Sequence, residues 1–250
     1  MSTLEISNLT HTYINKRTKE SCLALDNISL SFPLGKTTAI IGKIGSGKTT
    51  LLKIIGGILP YDEGSLIYDG VDLDTAYVED RNFSYVSQTP LLYPKKTVFD
   101  NLALPLLEAK QKKEAIRGTI YEVSRDYKID YLLTRKPKEL SIGQIQTINF
   151  VKATLKKPEL FLLDEPFSNL DLKSNLRMRK KLKEILLETK ATCLLATHNI
   201  NDVLYLADYI VVLEEGKVVA SSSKEELFQS KDPIVRSLLH AEEKENEEQQ

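Results

Sequence analysis

The stretch Gly42-Lys43-Ile44-Gly45-Ser46-Gly47-Lys48-Thr49 holds residues suited to binding a polyphosphate, in the order G-x-x-x-x-G-K-[ST]. Glycines at 42, 45 and 47 let the backbone curl with its N–H groups turned inward, which makes a nest for phosphate oxygens. Lys48 adds a cation able to reach β- and γ-phosphates. The hydroxyl of Thr49, which is followed by Thr50, is a hard oxygen ligand suited to Mg²⁺. The motif carries this meaning only between a strand and a helix. Thr37–Ile41 reads as a buried strand, and Leu51, Ile55 and Ile58 recur at helical spacing beyond the loop. A phosphate in the loop would therefore also meet the positive end of a helix dipole.

A second constellation is Leu160-Phe161-Leu162-Leu163-Asp164-Glu165, four apolar residues ending in two carboxylates and stopped by Pro166. Downstream of a phosphate loop, Asp164 lies where such folds hold Mg²⁺, usually through water. Glu165, one residue further, points at an attacking water as general base. No N-K-x-D segment follows a later strand, which argues against a guanine nucleotide.

The elements that must position these residues read as an α/β fold. Apolar strands at 159–163, 191–196 and 209–213 alternate with helical segments, the pattern of a mainly parallel, three-layer sheet. Before the phosphate loop, Leu4–Tyr13 and Ala24–Phe32 read as strands; Ser65–Tyr68 with Asp69-Gly70 adds a hairpin signal. From about 90 to 150 the character turns helical. Pro90, Pro94 and Pro105 punctuate its start, and a charged helix is expected over Glu108–Tyr127 with Ile116, Ile120 and Val123 on one face. Leu172–Glu188 is expected to be a helix whose Arg177, Arg179, Lys180, Lys181 and Lys183 form a solvated basic face. Glu214-Glu215-Gly216 reads as a hairpin turn into Lys217–Ala220, and Ser223–Glu226 as a capping box opening a last helix. Residues 241–250 are acidic and without large apolar side chains, and are expected to be disordered.

The whole chain narrows the classes. Its 250 residues suffice for a large core. The formal net charge of −1 offers no bulk positive field for nucleic acid, so no nucleic-acid partner is expected. Cys22 and Cys193 both sit among apolar residues and read as reduced thiols. The N-terminus lacks a signal-peptide pattern, and no apolar run approaches the ~18 residues that span a bilayer. A soluble chain whose membrane role comes through a partner is the expectation.

Between the two motifs lies Leu140-Ser141-Ile142-Gly143-Gln144. With it the chain resembles the ATP-binding cassette (ABC) transporter family, specifically its ATP-binding subunits, over roughly residues 3–240. Seven ordered signals carry the resemblance. They are the phosphate loop at 42–49, Gln88 as the Q-loop glutamine, Leu140–Gln144 as the LSGGQ signature and Leu160–Glu165 as Walker B. Ser168–Asp171 stands as the D-loop, His198 as the switch histidine, and Tyr13 as the aromatic that stacks on adenine.

The resemblance implies a P-loop ATPase domain over 1–240, with an N-terminal antiparallel β subdomain, a helical subdomain inserted at about 90–150 and a tail at 241–250. It implies ATP and Mg²⁺ as cofactors, with Thr49, Gln88 and Asp164 around the metal and Glu165, His198, Gln88 and Lys48 in the chemistry. Gln88 suits that place because it is long and neutral, and so withdraws from Mg²⁺ or water without stranding a charge. His198 follows an apolar strand, so its ring emerges at the carboxyl edge, where open α/β sheets bind ligands.

Ser141, Gly143, Gln144 and Asp171 would serve the ATP of a second cassette, so dimerisation, homo- or heteromeric, is implied. Membrane-spanning permease subunits on separate chains are implied as partners, docking near Leu91, Leu92, Tyr93, Val98 and Phe99. The chain would then sit peripherally on the inner face of the cell membrane. Ile142 replaces the first signature glycine and Thr147 the usual basic residue, which bears on turnover more than on nucleotide binding. Asn199 and Asp202 stand where Asp and Glu are usual, a mild change of polarity. Two alternatives stay open: a soluble cassette of the iron–sulfur assembly type, and a weakly hydrolysing cassette paired with an active one.

Overall fold

β1 (Thr3–Ile14) pairs antiparallel with β2 (Ser21–Pro33), opening a chain that a computed structural model describes over residues 3–15 and 17–239. The tail expected at 241–250 lies outside the described residues. β3 (Thr37–Ile41) leads through the phosphate loop into α1 (Lys48–Ile55). β4 (Glu63–Tyr68) returns beside β1 and turns into the short β5 (Val71–Asp72). Asp69 and Gly70, both left-handed at φ 49° and 80°, make the tight turn that a twisted hairpin favours. These strands form one antiparallel sheet in the order β2-β1-β4-β5.

The rest of the chain builds the second sheet and its cover. β6 (Phe83–Val86) is followed by three helices, α2 (Val98–Glu108), α3 (Lys113–Asp126) and α4 (Ile142–Leu155). Then come β7 (Leu160–Asp164), α5 (Leu172–Thr189), β8 (Thr192–Ala196) and α6 (Ile200–Leu206). β9 (Tyr209–Glu214), β10 (Lys217–Ser223), α7 (Lys224–Phe228) and α8 (Pro233–Leu239) close the described chain. The strand order is β10-β9-β3-β8-β7-β6, parallel from β6 through β9, with only β10 antiparallel.

Every residue of β3, β7 and β8 is buried, as befits parallel strands covered on both faces. The two-residue period divides them. Phe161, Leu163, Cys193 and Leu195 pack with Phe150, Phe167 and Leu182 on one side. Leu160, Leu162, Leu194 and Ala196 pack with Leu51, Ile55, Leu25 and Phe32 on the other. Among the described residues no helix is long and apolar enough to cross a membrane.

Several local expectations change. α1 stops at Ile55 because Gly56 and Gly57 follow, Gly57 at φ 68°, so Ile58 falls outside the helix and is 54% exposed. The charged helix begins at Lys113, since the chain turns at Lys110 with φ 55°. Ahead of it stands α2, unforeseen because Pro105 looked like a breaker. Thr97 and Asp100 close a reciprocal capping box that nucleates α2 (Asp100 N to Thr97 Oγ1, 3.1 Å; Thr97 N to Asp100 Oδ2, 3.2 Å). Val98 is consequently core rather than surface, while Leu91 and Tyr93 remain exposed.

The basic face of α5 is only partly solvated. Arg179 is buried and paired with Asp202, and Arg177 donates to the Tyr127 carbonyl at 3.1 Å. Cys22 is exposed on β2 and Cys193 buried, both free thiols. The box at Ser223 forms by half: Ser223 accepts from Glu226 N, but the Glu226 carboxylate turns to Ser222.

Asn101 holds the segment between β6 and α2. It is fully buried; its Oδ1 accepts from Tyr93 N at 2.8 Å and its Nδ2 donates to the Tyr93 and Thr97 carbonyls at 3.2 and 2.8 Å. Asn101→Ala leaves the Tyr93 amide and these carbonyls without that partner and should cost about 3 kcal/mol. The fall in the urea midpoint measures it; a loss below about 1 kcal/mol would show that the asparagine does not anchor the loop.

Candidate functional site

Because β6, β7, β8 and β3 run parallel, their carboxyl ends fall on one edge, and that edge gathers most of the residues singled out in the sequence. The phosphate loop leaves β3 through Gly42 (φ 153°) and enters α1 through Gly47 (φ 103°). A Cβ at Gly42 would lie 2.1 Å from the Leu213 carbonyl oxygen, and one at Gly47 2.7 Å from that of Ala24. Space and dihedral together demand glycine at both. The Lys43 and Ile44 side chains stand exposed around the loop, and Gly45 turns it at φ 84°. Ser46 is buried beneath. Lys48 Nζ donates to the carbonyls of Gly42 at 2.7 Å and Lys43 at 2.9 Å. Burial pushes its ammonium pKa down, against the pull of Glu165 and Asp164.

Thr49 and Asp164 meet directly, Thr49 Oγ1 donating to Asp164 Oδ1 at 3.0 Å, while Tyr85 OH donates to Oδ2 at 3.2 Å. Burial raises the Asp164 pKa, and these two hydrogen bonds hold it back. Gln88 emerges two residues beyond β6 and is exposed, without a hydrogen bond to Thr49 or Asp164. Tyr13 lies over the start of α1, with OH and Thr50 Oγ1 3.3 Å apart and its ring edge-on to His11 at 4.7 Å. Its face is partly exposed, at 41%.

Glu165 follows β7 in a left-handed conformation, φ 49°, its N–H on the Ala196 carbonyl at 2.9 Å. Its Oε1 lies 2.8 Å from His198 Nδ1. Burial raises the Glu165 pKa; His198 and Lys48 oppose the rise. The His198 loop hangs on a buried network. Thr197 Oγ1 donates to Asp202 Oδ2 at 2.8 Å and accepts from Asn199 N at 3.1 Å, and Asp202 Oδ1 takes the Arg179 guanidinium. Asp202 is thus one half of a buried ion pair, where the sequence suggested only a mild change of polarity. Removing one partner of such a pair costs roughly 3–5 kcal/mol.

The signature residues form a separate place. Ser141 caps α4 by accepting from Gln144 N at 3.3 Å, and Gln144 Oε1 accepts from Ser141 N at 2.9 Å. Asp171 caps α5, and the Ser174 hydrogen bonds hold its carboxyl pKa down. Ser141, Gly143, Gln144 and Asp171 line a common groove, and no residue of the phosphate loop borders it. Within one chain the structure joins Lys48, Thr49, Asp164, Glu165 and His198, and leaves the signature group apart.

The sequence reading missed Tyr85, Gln146, Arg179 and Asp202 as contributors. Gln146 is buried, its Nε2 donating to the Glu165 carbonyl at 3.0 Å and its Oε1 accepting from Asn169 N at 3.2 Å. Nothing in the sequence singles it out, since Gln146 is one of six polar side chains in the 14 residues of Ile142–Leu155.

The Glu165–His198 contact sets a pH dependence. A carboxylate acting as base is lost as pH falls through its pKa, which burial has already raised. His198→Ala removes an influence that lowers this pKa, so the acid limb of any ATP-turnover profile should move to higher pH. An unmoved or downward-shifted limb would dissociate the pair.

Residues 25–168 match the sequence model of the ABC transporter family. The chain is 36% identical over 228 residues to the sn-glycerol-3-phosphate import ATP-binding protein UgpC of Psychromonas ingrahamii, covering 91% of this chain and 60% of that protein. It is 37% identical over 227 residues to the glucose import ATP-binding protein GlcV of Saccharolobus solfataricus, covering 88% and 64%. The chain therefore spans about three fifths of the length of these curated relatives. A solved dimeric ATP-binding cassette in a post-hydrolysis state, bound to ADP and Pi, superposes with a TM-score of 0.80 at 27% identity, covering 88% of this chain and 98% of that one.

Proposed function

This chain belongs to the ABC transporter family, and from that premise we propose that it is the ATP-binding and ATP-hydrolysing subunit of a transporter whose membrane-spanning permease subunits are separate chains. One observation carries the catalytic reading: the largely buried Glu165 carboxylate, 2.8 Å from the His198 ring, lies beside the Thr49–Asp164 pair and Lys48.

The donor set fits a polyphosphate with Mg²⁺. The loop offers turned-in backbone N–H groups and a lysine, and Thr49 and Asp164 present a hydroxyl and a carboxylate already in contact, both hard oxygens. When bound, Mg²⁺ neutralises charge developing on the phosphoryl oxygens. Gln88, exposed two residues beyond β6, would supply a neutral amide oxygen to the metal side. Lys48 binds the β- and γ-phosphates by leaving the two carbonyls it now satisfies. Tyr13 stacks on the adenine.

Glu165 takes the proton of the attacking water. Its Oε1 is engaged by His198, which leaves Oε2 as the accepting atom. With Nδ1 on Glu165, His198 keeps Nε2 to orient the γ-phosphate and water.

Ser141, Gly143, Gln144 and Asp171 act on the nucleotide of a second cassette, homo- or heteromeric. They border a groove remote from the chain's own loop, and Ser141–Gln144 open a helix whose N-terminal N–H groups favour phosphate. Residues 1–240 form the ATPase domain, with the helices between β6 and β7 as the inserted subdomain. Exposed Leu91 and Tyr93 give the permease its docking surface on the inner face of the membrane. Both relatives are named import proteins, which favours import.

Glu165→Gln keeps the hydrogen-bonding shape but not the base. It should bind ATP with near wild-type affinity, lose turnover by about 100-fold or more, and accumulate as an ATP-bound dimer on size-exclusion chromatography. Wild-type turnover by this variant would remove Glu165 from the role of base.

A further inference from the structure

Gly143 and Gln146 lie one turn apart on α4, and both meet the segment that follows Glu165. The backbone at Gly143 approaches so closely that a Cβ there would stand 2.9 Å from the Asn169 carbonyl oxygen. Gln146, with no exposed surface, spends both ends of its amide on the same segment: Nε2 to the Glu165 carbonyl at 3.0 Å, Oε1 from the Asn169 N–H at 3.2 Å. A carbonyl on one side and an N–H on the other leave a single orientation for the amide. The Glu165 carbonyl also accepts from Ser168 Oγ at 3.1 Å, so two side chains hold the carbonyl of a residue whose φ is 49°. Such a conformation persists only where the surroundings over-determine it.

The same helix therefore carries two kinds of contact. Its N-terminus presents Ser141 to a groove that Gly143 also lines, and its second turn grips the backbone of Glu165 inward. We propose that Gln146 is a positioning residue that couples the two: engagement of Ser141 and Gly143 by a partner's nucleotide moves α4, and Gln146 passes that movement to the backbone of Glu165. The coupling rests on the reading of Glu165 as base and of the signature as acting across a dimer. Each cassette would then hydrolyse its own ATP in response to the occupancy of the other site, and turnover would be cooperative in ATP.

Gln146→Met keeps the volume and removes both hydrogen bonds. In the full chain it should lower kcat about tenfold, the scale of one or two lost buried hydrogen bonds. KM should stay within about twofold, and the Hill coefficient should fall from above 1 to 1. Gln146→Glu keeps an acceptor for Asn169 but sets a buried carboxylate oxygen against the Glu165 carbonyl, and should fall at or below Gln146→Met. In a Glu165→Gln background, Gln146→Met should still dimerise with ATP, because the coupling acts on the base and not on binding. A merely structural role would instead lower the melting temperature and let activity recover on cooling, with cooperativity intact; that result overturns the coupling. So does a wild-type kcat and Hill coefficient in both variants, or a wild-type enzyme with no cooperativity. A Glu165→Gln chain that fails to dimerise with ATP overturns the reading beneath the coupling as well, whereas one that dimerises while Gln146→Met behaves as wild type overturns the coupling alone.

Discussion

The burial of β3, β7 and β8 on both faces is the constraint from which the rest follows. All fifteen of their residues are buried, so those strands can present polar chemistry only where they end. Parallel pairing then decides which end. Because β6, β7, β8 and β3 point the same way, the phosphate loop, Asp164 with Glu165, Thr197 with His198, and Gln88 all leave the sheet at one edge. An antiparallel β7 would keep its apolar contacts and send Glu165 to the far side of the molecule. Strand direction, more than any single side chain, makes the site.

That edge is electrostatically tense. Burial pushes Asp164 and Glu165 towards their neutral forms and Lys48 towards its own, while the attraction between lysine and carboxylates opposes all three shifts. A second buried lysine would raise the desolvation cost again. The loop supplies positive potential by other means: backbone N–H dipoles and the α1 terminus attract phosphate without a further ion to desolvate. Hydrogen bonds from Thr49 and Tyr85 oppose the rise at Asp164, and the His198 contact opposes it at Glu165.

What the sequence revealed was what chemistry ties to short spacing. Gly42 to Thr49 is one loop, Asp164 and Glu165 are adjacent, and strand-ending runs such as Thr192–Ala196 announce themselves by composition. The α/β class and the N-terminal strands were legible for the same reason, while their antiparallel arrangement came with the family resemblance. The long-range pairings were not. Arg179 sits in a run of basic residues and looks solvated until Asp202, on another helix, is placed against it. Asn101 and Val98 were hidden by a proline that α2 accommodates near its end. Gln146 has the side chain of a surface residue in a helix whose polar residues keep to no one side, and only the fold shows that two backbone groups await it.

The same distinction separates the two departures around the signature. Ile142 occupies the first helical position of α4 with 66% of its surface exposed, so its bulk meets solvent on the face where a second cassette would lie. Gly143 has no such freedom: the Asn169 carbonyl leaves no room for a Cβ. Thr147 turns its hydroxyl onto the Gly143 carbonyl at 2.9 Å, a local bond that neither needs nor replaces a cation. The glycine that seats the signature helix on the D-loop is therefore the one retained. The position that departs from glycine is the one whose side chain faces out.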